Sequence, residues 1–197
     1  MRIKKWMNGV SGGILLALAP LGAIEKATVE FQGWGGVNFA TKSTYSTDFT
    51  GANFIQPTFG LTAWASQPFV LPNNLDIGLS LGYMPIFSYT SSDGKGSAIT
   101  AYPITLELRY RLPYNLYAAA GGGYALTRLK INDESSNTNA AIAILKGGYQ
   151  YAILENLSAL GEVQFSYVMQ KLTFPGSLEK ANSQFNIGLH LGVSYKI

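Results

Sequence analysis

The sequence predicts an all-β protein: an eight-stranded antiparallel up-and-down transmembrane β-barrel. Three observations lead to this fold class. After residue 26, apolar residues recur at every second position in eight segments, as in strands with one apolar face. The connections between these segments are alternately long and short, which is typical of an up-and-down barrel. No segment contains the roughly 20 consecutive apolar residues that a transmembrane helix needs.

The amino-terminal segment has the composition of a secretory signal peptide. Three of the first five residues are basic and residues 14–21 are apolar, which matches the two leading regions of such a peptide. We expect cleavage after Ala23, so that residues 1–23 are removed and residues 24–197 form the barrel domain. Loss of the three basic residues takes Lys+Arg from 14 to 11, equal to the 11 Asp+Glu. A neutral mature chain argues against nucleic acid as a partner.

Each of the eight segments has an apolar face and a polar face. The last segment shows this most clearly, because Phe185, Ile187 and Leu189 alternate with polar or small residues. We predict strands at residues 28–41, 54–66, 75–89, 98–112, 116–130, 140–151, 157–171 and 184–197.

The connections between the predicted strands form two classes. Three are short and contain Pro or Asn, and Leu75, Leu116 and Leu157 follow them at intervals of 41 residues. The others are long and rich in Ser, Thr, Asn, Asp or Gly, at residues 42–53, 90–97, 131–139 and 172–182. Outer-membrane barrels have this alternation, with short periplasmic turns and longer extracellular loops.

The low charge of the chain decides which face points outward. Charged residues make up 13% of the sequence, against about 25% in typical soluble domains. A soluble barrel of the lipocalin type is the alternative, but its outer surface would be the Gly, Ser, Thr and Gln face, which carries few charges. Tyrosine and phenylalanine mark both ends of the apolar face, as in the aromatic girdles of membrane barrels. We therefore expect the apolar face to contact lipid.

The carboxyl-terminal residues resemble the β-signal that the outer-membrane assembly machinery reads. His190, Gly192, Tyr195 and Ile197 occupy its polar, glycine, aromatic and hydrophobic positions. The final residue is Ile, whereas Phe is the commonest form. The resemblance implies that the barrel assembly machinery is a partner during biogenesis.

Residues 102–113 and 116–124 resemble a strand–turn–strand region of the small eight-stranded outer-membrane barrels, the superfamily of OmpA, OmpX and OmpW. The resemblance extends over about 170 residues and implies the architecture rather than an activity. It implies a location in the outer membrane of a diderm bacterium, with outer-membrane lipid around the barrel.

The interior of an eight-stranded barrel is just wide enough for side chains to fill it. The predicted interior face carries Glu107, Arg109, Lys146, Glu162 and His190. Placing the centre of the turn near residue 154 puts Lys146 directly across from Glu162. Buried charges must be paired, so we expect either a static ion-pair network or a plug that rearranges to open a small conductance, as the resemblance to OmpA implies.

The long connections contain the residues that would face the outside. Tyr45, Asp48 and Phe49 lie in the first, and Asp133 and Glu134 lie in the third. Solvated hairpin tips are one interpretation. Recognition of a host or envelope ligand is the other, because loops on a rigid scaffold commonly carry binding.

The residue inventory excludes several kinds of catalytic site. The chain has no Cys and one His, which excludes a thiolate metal site, a Cys nucleophile and a multi-histidine metal site. The barrel enzymes PagP and PagL carry a catalytic His and Ser near the extracellular rim, whereas His190 lies near the carboxyl terminus. We expect no catalytic residues, no metal and no cofactor, and an interior hydrogen-bonding role for His190.

A non-enzymatic structural protein of the cell surface is the function that the sequence favours. The alternative is transport, as a narrow gated channel or an OmpW-like conduit for small hydrophobic molecules. Apolar residues on the predicted interior face, namely Ile142, Ile144, Leu160 and Val168, are the support for a conduit. A lipid-modifying enzyme ranks third.

Overall fold

The computed structural model describes residues 28–40, 55–66, 72–90, 96–131, 134–172 and 180–197. These residues form eight strands, each hydrogen-bonded to its neighbours in the sequence. The strands are β1 (Thr28–Ala40), β2 (Ile55–Ser66), β3 (Leu75–Thr90), β4 (Gly96–Arg111), β5 (Leu116–Ile131), β6 (Glu134–Ala152), β7 (Leu157–Leu172) and β8 (Lys180–Lys196).

Antiparallel pairing between the first and the last strand closes the barrel. The pairs run from Glu30 opposite Lys196 to Ala40 opposite Asn186, so no sheet edge is left unpaired. The predicted fold class, an eight-stranded up-and-down barrel, is confirmed. Within the described ranges, no helix is long and apolar enough to cross a membrane.

The two faces of the barrel wall differ as the alternation predicts. The polar face points inward and is buried, while large apolar side chains on every strand whose outer side chains are described point outward and are exposed. Leu61 is 66% exposed and Tyr124 is 74% exposed. Soluble monomers rarely expose contiguous apolar patches above a few hundred Å², and here the patch encircles the barrel. The exterior is therefore the lipid-contacting surface of a transmembrane barrel.

The short-turn end of the barrel holds both termini of the described chain and the connections from β2 to β3, from β4 to β5 and from β6 to β7. Pro113–Asn115 forms a single 3-10 turn between β4 and β5, with Tyr114 and Asn115 at φ angles of 62° and 60°. The three leucines of the 41-residue repeat each lie opposite a tyrosine of the neighbouring strand, in the pairs Leu75–Tyr110, Leu116–Tyr149 and Leu157–Tyr195. This end thus carries the exterior girdle of tyrosines that the sequence predicts. The other end is called the long-loop end below.

The strands at the long-loop end extend further than predicted. β6 begins at Glu134 rather than residue 140, and Ile131 pairs directly with Glu134. The third connection is therefore short, and the prediction that Glu134 is a loop residue was wrong. The composition misled because Ser, Asn and Thr also fit a paired strand once it rises above the apolar band. The residues of the predicted signal peptide lie outside the described residues, as do Tyr45, Asp48, Phe49 and Asp133.

Glycines on the interior face make room for the two lumenal tryptophans. A Cβ atom at Gly60 would overlap the indole of Trp34, and one at Gly78 would overlap the indole of Trp64. Both tryptophans are buried, at 8% and 1% exposure. Small residues beside large ones allow a narrow barrel to be filled, so these glycines determine where the indoles lie.

Candidate functional site in the barrel lumen

The Arg109 cluster fills the lumen nearest the short-turn end. It consists of Arg109 on β4, Glu30 on β1 and Asp76 on β3. Arg109 Nη2 lies 2.6 Å from Glu30 Oε2 and 2.8 Å from Asp76 Oδ2, and Arg109 Nε also donates to Asp76 at 2.8 Å. All three side chains are almost completely buried. The fork of guanidinium donors suits two carboxylates at once, so one cation joins three strands.

Three neutral side chains and one further arginine complete the surroundings of this cluster. Gln32 and Gln150 each donate to Glu30 Oε1, at 2.8 Å and 2.6 Å. The Trp64 ring packs against the guanidinium, with its centroid 4.5 Å from Arg109 Cζ. Arg111, at the short-turn end, approaches the other oxygen of Asp76 at 3.0 Å. Each buried charge therefore has several partners, as burial requires.

The Lys146 cluster lies next to it toward the long-loop end and consists of Glu107, Lys146, Glu162 and His190. Lys146 Nζ is 3.0 Å from Glu107 Oε2 and 3.9 Å from Glu162 Oε1. His190 Nδ1 lies 3.2 Å from Glu162 Oε1. The hydroxyl of Tyr117 donates to Glu162 Oε2 at 2.9 Å. The lysine thus stands between two carboxylates, one close and one more distant.

The register of β6 and β7 differs from the prediction. Lys146 lies opposite Gln164, and Glu162 lies opposite Gly148. Ala152 pairs with Ser158, which centres the turn at residue 155 instead of 154 and moves every partner by two residues. The prediction that Lys146 is directly across from Glu162 was therefore wrong. The two side chains still approach each other because the lysine stem spans the offset.

Trp34 connects the Lys146 cluster to the wall of the barrel. Its ring stacks on His190 with centroids 4.4 Å apart, and Lys146 Nζ lies 5.6 Å from its centroid. Its indole nitrogen donates to Thr62 Oγ1 at 3.3 Å. The imidazole is thus held by a carboxylate at one ring nitrogen and by an aromatic face. Among the described residues, Glu162 is the hydrogen-bond partner of the His190 ring.

The apolar cluster fills the lumen toward the long-loop end. Its members are buried, with Ile86, Ile99 and Val168 at 0% exposure. The full set is Ala40, Met84, Ile86, Ile99, Ala101, Ala125, Leu129, Ala140, Ile142, Ile144 and Val168. Three of the four residues that supported a hydrophobic conduit belong to it. The fourth, Leu160, is buried outside this cluster.

Little space remains between the Lys146 cluster and the apolar cluster. A cavity of about 10 Å³ lies there, lined in part by Trp34, Met84, Glu107 and Ile144. Such a volume is near the minimum for a single water molecule. In this conformation the middle of the lumen is filled by side chains.

The residues of the predicted assembly signal lie on the closing strand. Tyr195 on β8 and Ile197 directly after β8 are exposed, and the backbone of Ile197 exchanges two hydrogen bonds with Val29 on β1. Gly192 also has a local reason to be glycine, because a Cβ there would overlap the carbonyl oxygen of Gly33 and crowd Trp34. His190 points into the lumen, as described above. Recognition by the assembly machinery stays a prediction.

Two features of the lumen did not emerge from the sequence. Tyr117 was not identified, although a tyrosine beside Ala119, Gly121 and Gly123 on a polar face is a signal that a large side chain fills the lumen there. The apolar cluster was identified only in part, since its residues on β3, β4 and β5 were not assigned to the interior. Among the described residues, no group of three or more His, Asp and Glu could hold a metal ion.

The comparisons with known proteins agree with this architecture. No protein-family model matches the chain, and no curated protein matches it in sequence. Among solved structures, a major outer membrane protein from Thermus thermophilus is similar, with a TM-score of 0.56 and 14% identity over 87% of this chain and all of that one. Ail of Yersinia pestis, in complex with the heparin analogue sucrose octasulfate, is similar with a TM-score of 0.52 and 13% identity, over 87% of this chain and 98% of that one.

At these identities the similarity concerns the fold alone. It agrees with the closed order of eight strands. The chain therefore has the fold of the small eight-stranded outer-membrane β-barrels.

Proposed function

We propose that the protein is a non-enzymatic scaffold of the outer membrane of a diderm bacterium, with extracellular loops available for partner binding. The filled lumen is the observation that carries this proposal. Two ion-pair clusters and an apolar cluster occupy the interior, and the cavity between them is only about 10 Å³. Such an interior suits a rigid support more than an open diffusion pore.

The surroundings of His190 support a non-enzymatic role. Its ring contacts Glu162 and Trp34, and the described residues place no hydroxyl in hydrogen-bond contact with it. A general base needs a nucleophile within hydrogen-bond reach. Activity on labelled lipid A that disappears in His190→Ala would contradict this assignment.

The long-loop end is the surface where we place a host or envelope ligand. Tyr45, Asp48, Phe49 and Asp133 remain the candidates, because they lie in the sequence beyond the strand ends on that side. Ail, a protein of this fold, binds a heparin analogue, which illustrates that the scaffold can carry a ligand. Replacing residues 43–50 by a Gly-Ser loop is expected to abolish partner binding and to spare folding.

Heat-modifiability tests the membrane placement. Protein refolded in detergent is expected to give a β-rich circular dichroism spectrum and a shifted band on an SDS gel when unboiled. Refolding into phospholipid vesicles is expected to make the same band resistant to protease. A monomer that remains soluble without detergent would overturn the proposal and favour a lipocalin-like barrel.

A gated channel is the second candidate, and the position of Lys146 favours it. Its ammonium lies 3.0 Å from Glu107 and 3.9 Å from Glu162, so exchange between the two carboxylates would rearrange the plug. In planar bilayers a static scaffold shows no conductance steps in the wild type or in Glu107→Gln. A channel shows steps whose frequency changes in Glu107→Gln and is unchanged in the exterior variant Arg128→Gln.

An OmpW-like conduit for small hydrophobic molecules is a form of the same alternative, and the apolar cluster favours it. Uptake of a labelled alkane into vesicles that contain the barrel tests it. A conduit requires that Val168→Trp, which fills this part of the lumen further, reduces uptake. Equal uptake with and without the barrel would exclude it.

A further inference from the structure

Two cations lie on the outer surface at the long-loop end of β5. Arg128 and Lys130 are exposed and alternate along the strand with the buried Thr127 and Leu129. They therefore share the exterior face of β5 with Leu126 and Tyr124, which are 55% and 74% exposed. Residues two apart on one face of a strand are about 7 Å apart. The two cations thus follow directly after the apolar band.

No other cation whose side chain the structure describes has this position. Arg109 and Lys146 are buried in the lumen, Arg111 approaches Asp76, and Lys196 lies at the short-turn end. Among the side chains that the structure describes, cations on the outward face of a strand occur only where β5 leaves the band at the long-loop end. At the short-turn end the exposed cation is Lys196, which directly follows the girdle residue Tyr195. The exposed cations at the two ends therefore differ in position, because Arg128 and Lys130 share the outward face of a strand whereas Lys196 is the last residue of β8.

The residues that pair with these two cations on the neighbouring strands are uncharged. Thr100 and Asn137 lie opposite Arg128, and Ala98 and Ser135 lie opposite Lys130. The carboxylate side chains that the structure describes lie in the lumen or, for Glu155, in a turn at the short-turn end. Among the side chains that the structure describes, the patch of Arg128 and Lys130 is thus cationic, and three of its four cross-strand neighbours carry a neutral hydrogen-bonding group.

We propose that this patch binds the phosphate groups of an anionic lipid in the outer leaflet. Arginine and lysine are the side chains that bind phosphate best. The exposed Leu126 and Tyr124 below them offer the acyl chains of the same lipid an apolar wall. A lipid suits this arrangement better than a soluble anion, because cationic and apolar contacts lie on one continuous exterior face. The inference rests on the proposed outer-membrane placement.

A binding titration tests the assignment. The full barrel, refolded in detergent, is titrated with fluorescent diphosphorylated lipid A. One basic residue near an anionic lipid surface contributes about 1 kcal/mol, so Arg128→Gln and Lys130→Gln are each expected to weaken binding about fivefold. The double variant is expected to weaken it roughly 25-fold. Lys196→Gln, which removes one charge at the opposite end, is the matched control and is expected to leave the affinity unchanged.

Three further arms separate the possible outcomes. Dephosphorylated lipid is expected to bind the wild type and the double variant equally, and higher salt is expected to weaken binding of the phosphorylated lipid to the wild type. Unchanged affinity in the double variant would overturn the inference. Pyrophosphate that binds as tightly as the phosphorylated lipid would overturn the lipid assignment and indicate a site for a free anion.

Folding and lipid binding are measured separately in this design. The shift of the unboiled band reports the folded barrel for each variant, and the dissociation constant reports the lipid site. A wild-type barrel that folds and inserts but binds phosphorylated and dephosphorylated lipid equally contradicts only this inference. A wild-type barrel that does not insert contradicts the proposed function and the inference together.

Discussion

In the short-turn half of the lumen, Arg109 and Lys146 each lie between carboxylates, whereas in the long-loop half Ile86, Ile99 and Val168 pack against apolar neighbours. The first arrangement depends on which chemical groups meet, because a buried charge without a partner is costly. The second depends on volume, because apolar side chains make no directional interactions and stabilise the lumen by filling it closely. One narrow barrel is thus filled by two different kinds of interaction, which respond to different substitutions.

Removal of the central cation is expected to have the largest effect. Arg109→Met keeps much of the side-chain volume but leaves Glu30 and Asp76 buried without their shared partner. Breaking a buried pair in this way costs about 3–5 kcal/mol. The free energy of unfolding in detergent, followed by the mobility shift at increasing urea concentration, measures it. Arg128→Met on the exterior is the control, and a loss below about 1 kcal/mol for Arg109→Met would contradict the assigned role.

The apolar half is expected to respond to volume alone. Ile99 is fully buried, so Ile99→Ala creates a cavity and is expected to cost about 2–4 kcal/mol, while Ile99→Val costs about 1 kcal/mol. Urea titration of the three proteins checks the graded series. Ile104→Ala on the same strand, where the side chain is 53% exposed, is expected to cost less because detergent fills the space. Equal losses at both positions would show that the interior of this half is not close-packed.

Substitution of one interior and one exterior glycine by alanine is expected to change the free energy of unfolding by a smaller amount. Gly78→Ala places a methyl group against the Trp64 indole beside the Arg109 cluster, and overpacking of this kind costs about 1–3 kcal/mol. Gly147→Ala adds the same methyl group on the exterior, where nothing lies within 4 Å. This control is expected to change stability by less than about 0.5 kcal/mol. A Gly78→Ala variant as stable as Gly147→Ala would mean that Trp64 can move aside.

The alternation of side chains along each strand was readable from the sequence because its period is two and every strand repeats it. The interior charges followed from the same rule, since position parity alone assigns Glu107, Arg109 and Glu162 to the polar face. Glu134 was misassigned because Ser, Asn and Thr have the composition of loops even when their backbone is paired. Tyr117 was missed because the interior site was predicted from charged residues, and this tyrosine is an uncharged residue on a face of otherwise small side chains.

The sequence alone predicts the number of strands, the outward direction of the apolar face and the residues available to fill the lumen. These properties depend on local periodicity, which neighbouring residues express without reference to distant strands. The contacts between these side chains are set by the tertiary structure, which places Arg109 against Glu30 and Asp76. It also places Lys146 Nζ 3.0 Å from Glu107 Oε2. Those contacts depend on strand registers and on the closure of β1 against β8. A shift of two residues keeps every side chain on its face and still changes its partners, so alternation cannot specify them.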